Sequence, residues 1–260
     1  MISIVTAYYN RKSLFYETLK SITRSEYKNI ELIVVDDGSD KNHRIEDLVF
    51  EFPFIRIIRV ERGNRWYINP CIPFNIGLRE AQGDIIVLQN PECLHVHDVL
   101  TFIVNNLNNS KYISISAYAL NPSLTSELPK YNNSEMIIEF FKGLPKQKYT
   151  GSIMPGWYNH PRYRPTYFHF CSAITRENMR KLNGFDERYA HGVGYDDDEL
   201  VERIKKMGLK LIISEQVSVL HQYHAPIPQP IGGKNRTILN KKTKIENNYR
   251  ANNEPLWNGI

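Results

Sequence analysis

The stretch Ile30-Glu31-Leu32-Ile33-Val34-Val35-Asp36-Asp37-Gly38-Ser39-Asp40 sets the fold class. Residues 30–35 read as an apolar run of the kind found in a strand covered on both faces. Asp36-Asp37-Gly38-Ser39-Asp40 stops that run with a dense turn signal. Upstream, Ile2 to Ala7 is a short β-rich segment, and Leu14, Leu19 and Ile22 fall at near-helical spacing over Ser13 to Thr23. Downstream, Ile45, Leu48 and Val49 suit a helix, Ile55 to Val60 a strand, and Ile72 to Ala81 a helix ended by Gly83. Asp84 to Leu88 is a further strand, stopped by Asn90-Pro91, and Val99, Leu100, Ile103, Val104 and Leu107 make an apolar helical face. Such alternation predicts an α/β fold: a mostly parallel central sheet flanked by helices.

The pattern changes after residue 110. Residues 120–168 are rich in proline, tyrosine and asparagine and predict loops with one helix at Ser134 to Phe141. Regular structure returns with a strand at His169 to Thr175 and a helix at Arg176 to Leu182. Asp196 to Met207 has an acidic start, an apolar face of Leu200, Val201, Ile204 and Met207, and Gly208 at its end, the signature of a helix. Strands are predicted at Leu209 to Ile213 and Val217 to Leu220. Residues 1–224 then form one domain of two halves, 1–110 and 111–224, and the polar, basic residues 225–260 form a tail or lid.

Composition narrows the function classes. Of 260 residues, 42% are hydrophobic and 23% charged, ordinary for a globular protein. No apolar run approaches the roughly 18 residues of a membrane helix, so no membrane span is expected. The N-terminus enters a strand with no basic leader region, and Cys71, Cys93 and Cys171 are few, odd in number and unpatterned. A cytoplasmic location is the resulting expectation. The net charge of +5 is spread rather than clustered, which argues against nucleic acid.

Four polar clusters follow strand ends or open a helix, where an open α/β sheet binds its ligands. Asp37 can accept from a ribose or a base N–H, or Asp37 and Ser39 can cap a turn. Asn90 and Glu92 offer oxygens to a hard cation, or simply end a strand. Asp196-Asp197-Asp198-Glu199 is either an acidic first turn or a reactive group of acids; Gly192 and Gly194 before it allow close approach of a ligand. His221 and His224 can ligate a metal or contact phosphate, or lie inert on the surface. Trp157 and Tyr158, like Trp66 and Tyr67, sit in expected loops, where rings stack on sugars or merely pack.

Taken in order, these clusters resemble the GT-A glycosyltransferases, especially family 2. The second half is also similar to the C-terminal region of the β-1,4-galactosyltransferases. Ser3-Ile4-Val5-Thr6-Ala7-Tyr8-Tyr9-Asn10-Arg11 resembles the family's first strand and nucleotide loop, and Glu31 to Ser39 its second strand. Phe74-Asn75-Ile76-Gly77-Leu78 is similar to the helix before the metal strand. Gly184-Phe185-Asp186-Glu187 followed by Gly192 to Leu200 is similar to the galactosyltransferase stretch that ends in an acidic triplet. The resemblance covers roughly residues 1–224. It implies nucleotide contacts from Thr6, Ala7, Tyr9, Arg11, Asp37, Asn75 and Asn90, with Tyr9 stacked on the base and Asp37 on the uridine. It implies Asp197 as catalytic base, and acceptor contacts from Asp196, with Trp157 and Tyr158 as sugar platforms. It implies a Mn²⁺ or Mg²⁺ site at Glu92 completed by His224 or His221.

Two departures stand out. The family's D-x-D metal motif is Asn90-Pro91-Glu92, which leaves one anionic ligand. The arginine common before the middle-helix asparagine is Phe74, so that contact is lost or moved to Arg62 or Arg65. The resemblance implies inverting, metal-assisted transfer of a sugar from a nucleoside-diphosphate sugar, UDP-linked, to a glycan or other hydroxyl acceptor. The alternatives are a non-catalytic nucleotide-sugar or glycan-binding module, and a nucleotidyltransferase, which would need a glycine-rich phosphate loop that the stretch after Thr6 lacks.

Overall fold

The computed structural model describes residues 1–151, 154–225, 233–245 and 248–257. In chain order the first half runs β1 (Ile2–Tyr8), α1 (Lys12–Thr23), β2 (Ile30–Asp36), β3 (Ile55–Arg59), α2 (Cys71–Glu80), β4 (Ile85–Gln89), β5 (Cys93–His95) and α3 (Val99–Asn106). The second runs β6 (Lys111–Ala119), α4 (Pro122–Glu127), α5 (Ser134–Lys142), β7 (Gly156–Asn159), β8 (Cys171–Thr175), α6 (Arg176–Leu182), α7 (Asp196–Lys206), β9 (Lys210–His221) and α8 (Lys234–Ile245). No helix among the described residues is long and apolar enough to cross a membrane.

The strands join one sheet in the order β3-β2-β1-β4-β8-β6-β9-β5, with β7 paired to β6. Alternate residues feed its two faces. Ile2, Ile4, Leu32 and Val34 pack against Phe15, Leu19 and Ile22 of α1 and against Val99, Leu100 and Ile103 of α3. Val5 and Ile33 pack on the other side with Phe74 and Leu78 of α2 and with Leu200 and Ile204 of α7. A smaller cluster around Tyr118, Leu128, Ile137 and Trp157 sits under α4, α5 and β7.

The α/β class expected from the sequence holds, and the sheet is mixed. Ladders β1–β2, β1–β4, β2–β3 and β6–β9 are parallel. Ladders β4–β8, β5–β9, β6–β7 and β6–β8 are antiparallel. β8 inserts between β4 and β6 and runs against both, and β5 at the sheet edge runs against β9. β6 was left unassigned by the sequence although Ile113-Ser114-Ile115-Ser116-Ala117 alternates apolar and polar residues; eight of its nine residues are buried, the serines among them. The two strands expected at 209–213 and 217–220 are one strand, β9, whose pairing with β6 jumps in register between Ile115 and Ser116.

Strand direction brings the polar clusters to one rim. The carboxyl ends of β1, β2, β4 and β9 all point there. Because β8 runs antiparallel to β4, with Cys171 opposite Gln89, the residues just before β8 arrive at the same edge.

The segment expected as a loose tail is packed in part. Asn235 of α8 is buried and donates to the carbonyls of Tyr189 and Gly194 at 3.0 and 2.9 Å. Ala251 and Leu256 are buried, and their backbone N–H groups donate to Leu182 O and Asn183 Oδ1 at 2.8 and 3.0 Å. Residues 226–232, 246–247 and 258–260 of that segment lie outside the described residues.

Candidate active site

The acids after β2 divide their tasks. Asp36 is wholly buried; its Oδ1 accepts from Ser39 N at 2.9 Å and its Oδ2 pairs with Arg59 at 2.9 Å. The turn-capping role foreseen for Asp37 or Ser39 thus belongs to Asp36. Gly38 sits at φ +75°, and a Cβ there would crowd the Arg62 backbone at 3.1 Å, so the turn requires glycine. Asp37 faces the rim instead. Tyr67 OH donates to its Oδ1 at 2.8 Å and Arg65 pairs with its Oδ2 at 3.0 Å. Burial pushes the Asp37 carboxyl above its usual range, while Tyr67 and Arg65 pull it back down. Tyr9 is 40% exposed and presents its ring to the guanidinium groups of Arg65 and Arg62, 5.3 and 5.9 Å from its centroid. Arg62 and Arg65 therefore do lie at this end of the site.

Thr6 and Ala7 lie inside β1, paired with Val34 and Val35, so the loop proper begins at Tyr9. Asn75 is corrected more firmly. It is fully buried, donates to Phe185 O and Glu187 Oε1 at 2.9 and 3.0 Å, and accepts from Phe185 N at 2.8 Å. Its amide holds the Gly184–Glu187 turn and faces no ligand cleft.

After β4, Glu92 is buried with polar neighbours converging on it. Arg11 Nη1 pairs with Oε2 at 2.8 Å; His221 Nε2 and His224 Nε2 lie 3.2 and 3.4 Å from Oε1. The second guanidinium nitrogen of Arg11 reaches His224 Nδ1 at 3.2 Å, and Asn90 Nδ2 approaches Oε1 at 3.5 Å. Burial alone would raise the Glu92 carboxyl, yet Arg11 and the two histidines hold it well below the usual range. One ligand atom from each of Glu92, His221 and His224 lies within 4.8 Å of the others. A single carboxylate with two imidazoles is a mixed oxygen and nitrogen set, which suits Mn²⁺ better than the all-oxygen preference of Mg²⁺. The residues fit a divalent cation on the Oε1 side, with Arg11 neutralising Oε2. Gln222 between the histidines explains their placement: its amide donates to Leu14 O, Thr18 Oγ1 and Glu92 O, fixing this turn on α1.

The acidic run at the start of α7 separates into distinct environments. Asp196 is buried and accepts from Asn69 Nδ2 at 3.0 Å; burial, then the neighbouring Asp197, raise its carboxyl to about 6. Asp197 is 28% exposed at its side chain and pairs through Oδ1 with His169 Nδ1. Burial disfavours a charged His169, but Asp197 overrides that and raises its pKa. Glu199 is inside the protein, paired with Arg203 at 2.7 Å. The run thus supplies one anchor, one half-open carboxylate and one buried ion pair.

The two platforms differ. Trp157 is 8% exposed and boxed by Tyr118, Phe141 and His160 at 5.2, 5.8 and 4.2 Å. It is a packing residue of the smaller core, so the sugar-platform expectation for it is corrected. Tyr158 stays half-buried on Phe170 and His221, at 4.4 and 5.3 Å, and burial above all pushes its hydroxyl above the usual range.

A circuit of contacts closes the rim. Asp37 meets Tyr67; two residues on, Asn69 meets Asp196; Asp197 meets His169; and the next residue, Phe170, packs edge-on against His221, 5.6 Å away, beside Glu92 and Arg11. Sequence reading missed Asn69 and His169. Asn69 has no local signal, but a histidine within the aromatic run Tyr167-Phe168-His169-Phe170 is a polar group in a place that otherwise packs.

The profile described as Glycosyl transferase family 2 matches residues 3–167, and one described as N-terminal domain of galactosyltransferase matches residues 157–225. The chain is 25% identical over 268 aligned positions to a chondroitin synthase of Escherichia coli, covering 91% of this chain and 36% of that protein. It is 23% identical to the uncharacterized glycosyltransferase YfnE of Bacillus subtilis, covering 85% and 64%. The chain thus spans less than two thirds of either relative. The mannosyltransferase PcManGT from Pyrobaculum calidifontis, solved with GDP-Man and Mn²⁺, superposes with a TM-score of 0.55 at 19% identity, covering 85% of this chain and 56% of that one. S. aureus TarS 1-349 with UDP-GlcNAc superposes with a TM-score of 0.56 at 15% identity, covering 87% and 61%. These structures share the GT-A fold.

Proposed function

The chain belongs to glycosyl transferase family 2, and from that premise we propose that it is a glycosyltransferase that moves a sugar from a UDP-sugar to a hydroxyl of a glycan, with inversion. The observation that carries the reading is the unbroken circuit from Asp37 through Asp196 and Asp197 to Glu92 at one rim of the sheet.

In this reading Asp37 accepts a hydrogen bond from the base while Tyr9 stacks on its face. Glu92, His221 and His224 would hold a divalent cation, with Asn90 beside them, and its charge would offset that of the leaving diphosphate. Asp197, half-open to solvent, takes the proton of the acceptor hydroxyl as the new bond forms. Asp196, anchored by Asn69, hydrogen-bonds the acceptor sugar, and Tyr158 lines the space between the donor and acceptor ends. A single base opposite the leaving group gives inversion at the anomeric carbon.

The test uses purified protein with Mn²⁺ and a panel of UDP-Glc, UDP-GlcNAc, UDP-Gal, UDP-GlcA and GDP-Man, read as nucleotide release with and without oligosaccharide acceptors. Asp197→Asn abolishes release yet retains UDP binding. A variant that turns over at the wild-type rate removes the base assignment, and wild-type protein that binds UDP without turning over any donor supports a binding module instead.

A further inference from the structure

We propose that His169 is a positioning residue that clamps Asp197 by one oxygen and leaves the other as the proton acceptor; this rests on the reading of Asp197 as the base. Two nitrogens of the same residue converge on Asp197 Oδ1: the His169 backbone N–H donates to it at 3.2 Å, and the imidazole Nδ1 lies in ion-pair contact with it. Among the described residues no hydrogen bond reaches Oδ2. A carboxylate on the first turn of a helix has two free side-chain torsions, and a base must meet its proton within hydrogen-bond distance. Holding Oδ1 between the backbone N–H and the ring of one buried residue limits that freedom and leaves Oδ2 as the oxygen without a hydrogen bond among the described residues.

The clamp is itself held. The His169 ring is 5% exposed, and Phe74 and Phe185 meet it edge-on, with centroids at 4.8 and 5.0 Å. Phe74 and Phe185 stack on each other at 5.2 Å. Phe185 is fixed in turn by Asn75, through Phe185 N and O. This accounts for phenylalanine at position 74, where the family resemblance leads one to expect arginine: a guanidinium against this ring would repel a protonated imidazole, whereas the phenyl edge packs it. The neighbour Phe170 lies on His221, so the same two-residue segment sets the base and the cation ligands relative to each other. Nδ1 can serve only if it carries a proton, and the carboxylate beside it favours that state.

The experiment needs no substrate. In protein labelled with ¹⁵N-histidine, two-bond ¹H–¹⁵N correlations at pH 7.5 report which ring nitrogen is protonated, and His169→Asn identifies the signal by its loss. The expected result is a protonated Nδ1 in the wild type and a changed tautomer or ionisation in Asp197→Ala. A bare Nδ1 in the wild type, or a His169 spectrum unchanged by Asp197→Ala, overturns the proposal. Kinetics on the fastest donor of the panel above give a second reading. His169→Leu lowers kcat by roughly 10- to 100-fold with donor KM within about twofold, whereas His169→Asn, whose amide can donate from the place of Nδ1, recovers most of the rate. Equal rates for both variants and the wild type also overturn it. If Asp197→Asn keeps full activity while the ¹⁵N signature is as expected, the base reading fails and the clamp survives as a structural pair.

Discussion

Arg203 and Glu199 pair at 2.7 Å one turn apart on α7, with side chains only 1% and 2% exposed. Arg203 also donates to the carbonyls of Leu182 and Gly184, at 2.9 and 2.8 Å, and so ties α7 to the turn that precedes the acidic loop. Removing the arginine takes from the buried Glu199 carboxylate its ion pair at 2.7 Å. Arg203→Met is expected to lower stability by about 3–5 kcal/mol, read from the midpoint of urea unfolding. Arg203→Lys recovers only part of this, because an ammonium lacks the planar fork that reaches carboxylate and carbonyls together. A midpoint unchanged in the methionine variant contradicts the structural role.

Asp196 carries a cost that a neutral residue removes. Its carboxyl is raised from 3.8 to about 6, by burial first and by Asp197 second. A raised carboxyl favours the protonated form in the folded state. That stabilisation is complete below about pH 4 and is lost as pH rises through about 6. Asp196→Asn, which can still accept from Asn69, is therefore expected to be more stable than the wild type by about 2–3 kcal/mol at pH 7.5, and equal to it below about pH 4. Thermal melts across pH check this; a difference that is constant with pH rules it out. Turnover falls in the same variant if Asp196 holds the acceptor, the usual exchange of activity for stability.

The Asp37 carboxylate is oriented by Tyr67 and Arg65, at 2.8 and 3.0 Å. Asp37→Ala is expected to weaken UDP binding by about 10- to 100-fold, the worth of a charged hydrogen bond to the base. Tyr67→Phe keeps the carboxylate but frees it to turn, and costs about three- to tenfold. Calorimetry with UDP measures both. Equal affinities across the three proteins would place the base elsewhere.

In the proposed site a divalent cation would contend with Arg11 for the Glu92 carboxylate. The guanidinium pairs with Glu92 at 2.8 Å and reaches His224 at 3.2 Å. Arg11→Met removes the resident positive charge, so Mn²⁺ affinity in the absence of nucleotide is expected to rise about tenfold or more. Glu92→Gln abolishes it. The free-Mn²⁺ paramagnetic resonance signal follows both, and a methionine variant that binds no tighter than wild type shows that Arg11 and the cation do not compete.

The nucleotide half was legible because its strands obey simple rules. β2 and β4 are short apolar runs closed by turn residues, and α2 ends where the pattern of apolar spacing ends. β6 was legible in principle, since Ile113-Ser114-Ile115-Ser116-Ala117 keeps a period of two, and was passed over; β7 lies in an aromatic stretch that resembles loop. The site divides in the same way. Asp37, Glu92, Asp197 and the two late histidines follow strand ends or open a helix and could be picked out by position. Asn75 and Trp157 could not be sorted into ligand or scaffold, since an asparagine or a tryptophan has the same letter in either task and only the partners distinguish them. His169 and Asn69 act through contacts 28 and 127 residues away, which no local pattern encodes.

The packing of Ala251 and Leu256 against Leu182 and Asn183 has a consequence for the order of assembly during translation. A chain made from its amino end can build the nucleotide half early, since β1 to β4 pair among themselves. The turn leading to the acidic loop gains its last clasp only after residue 256 has left the ribosome. The strand ends that carry Tyr9 and Asp37 can thus come together before the turn leading to the acidic loop is fastened.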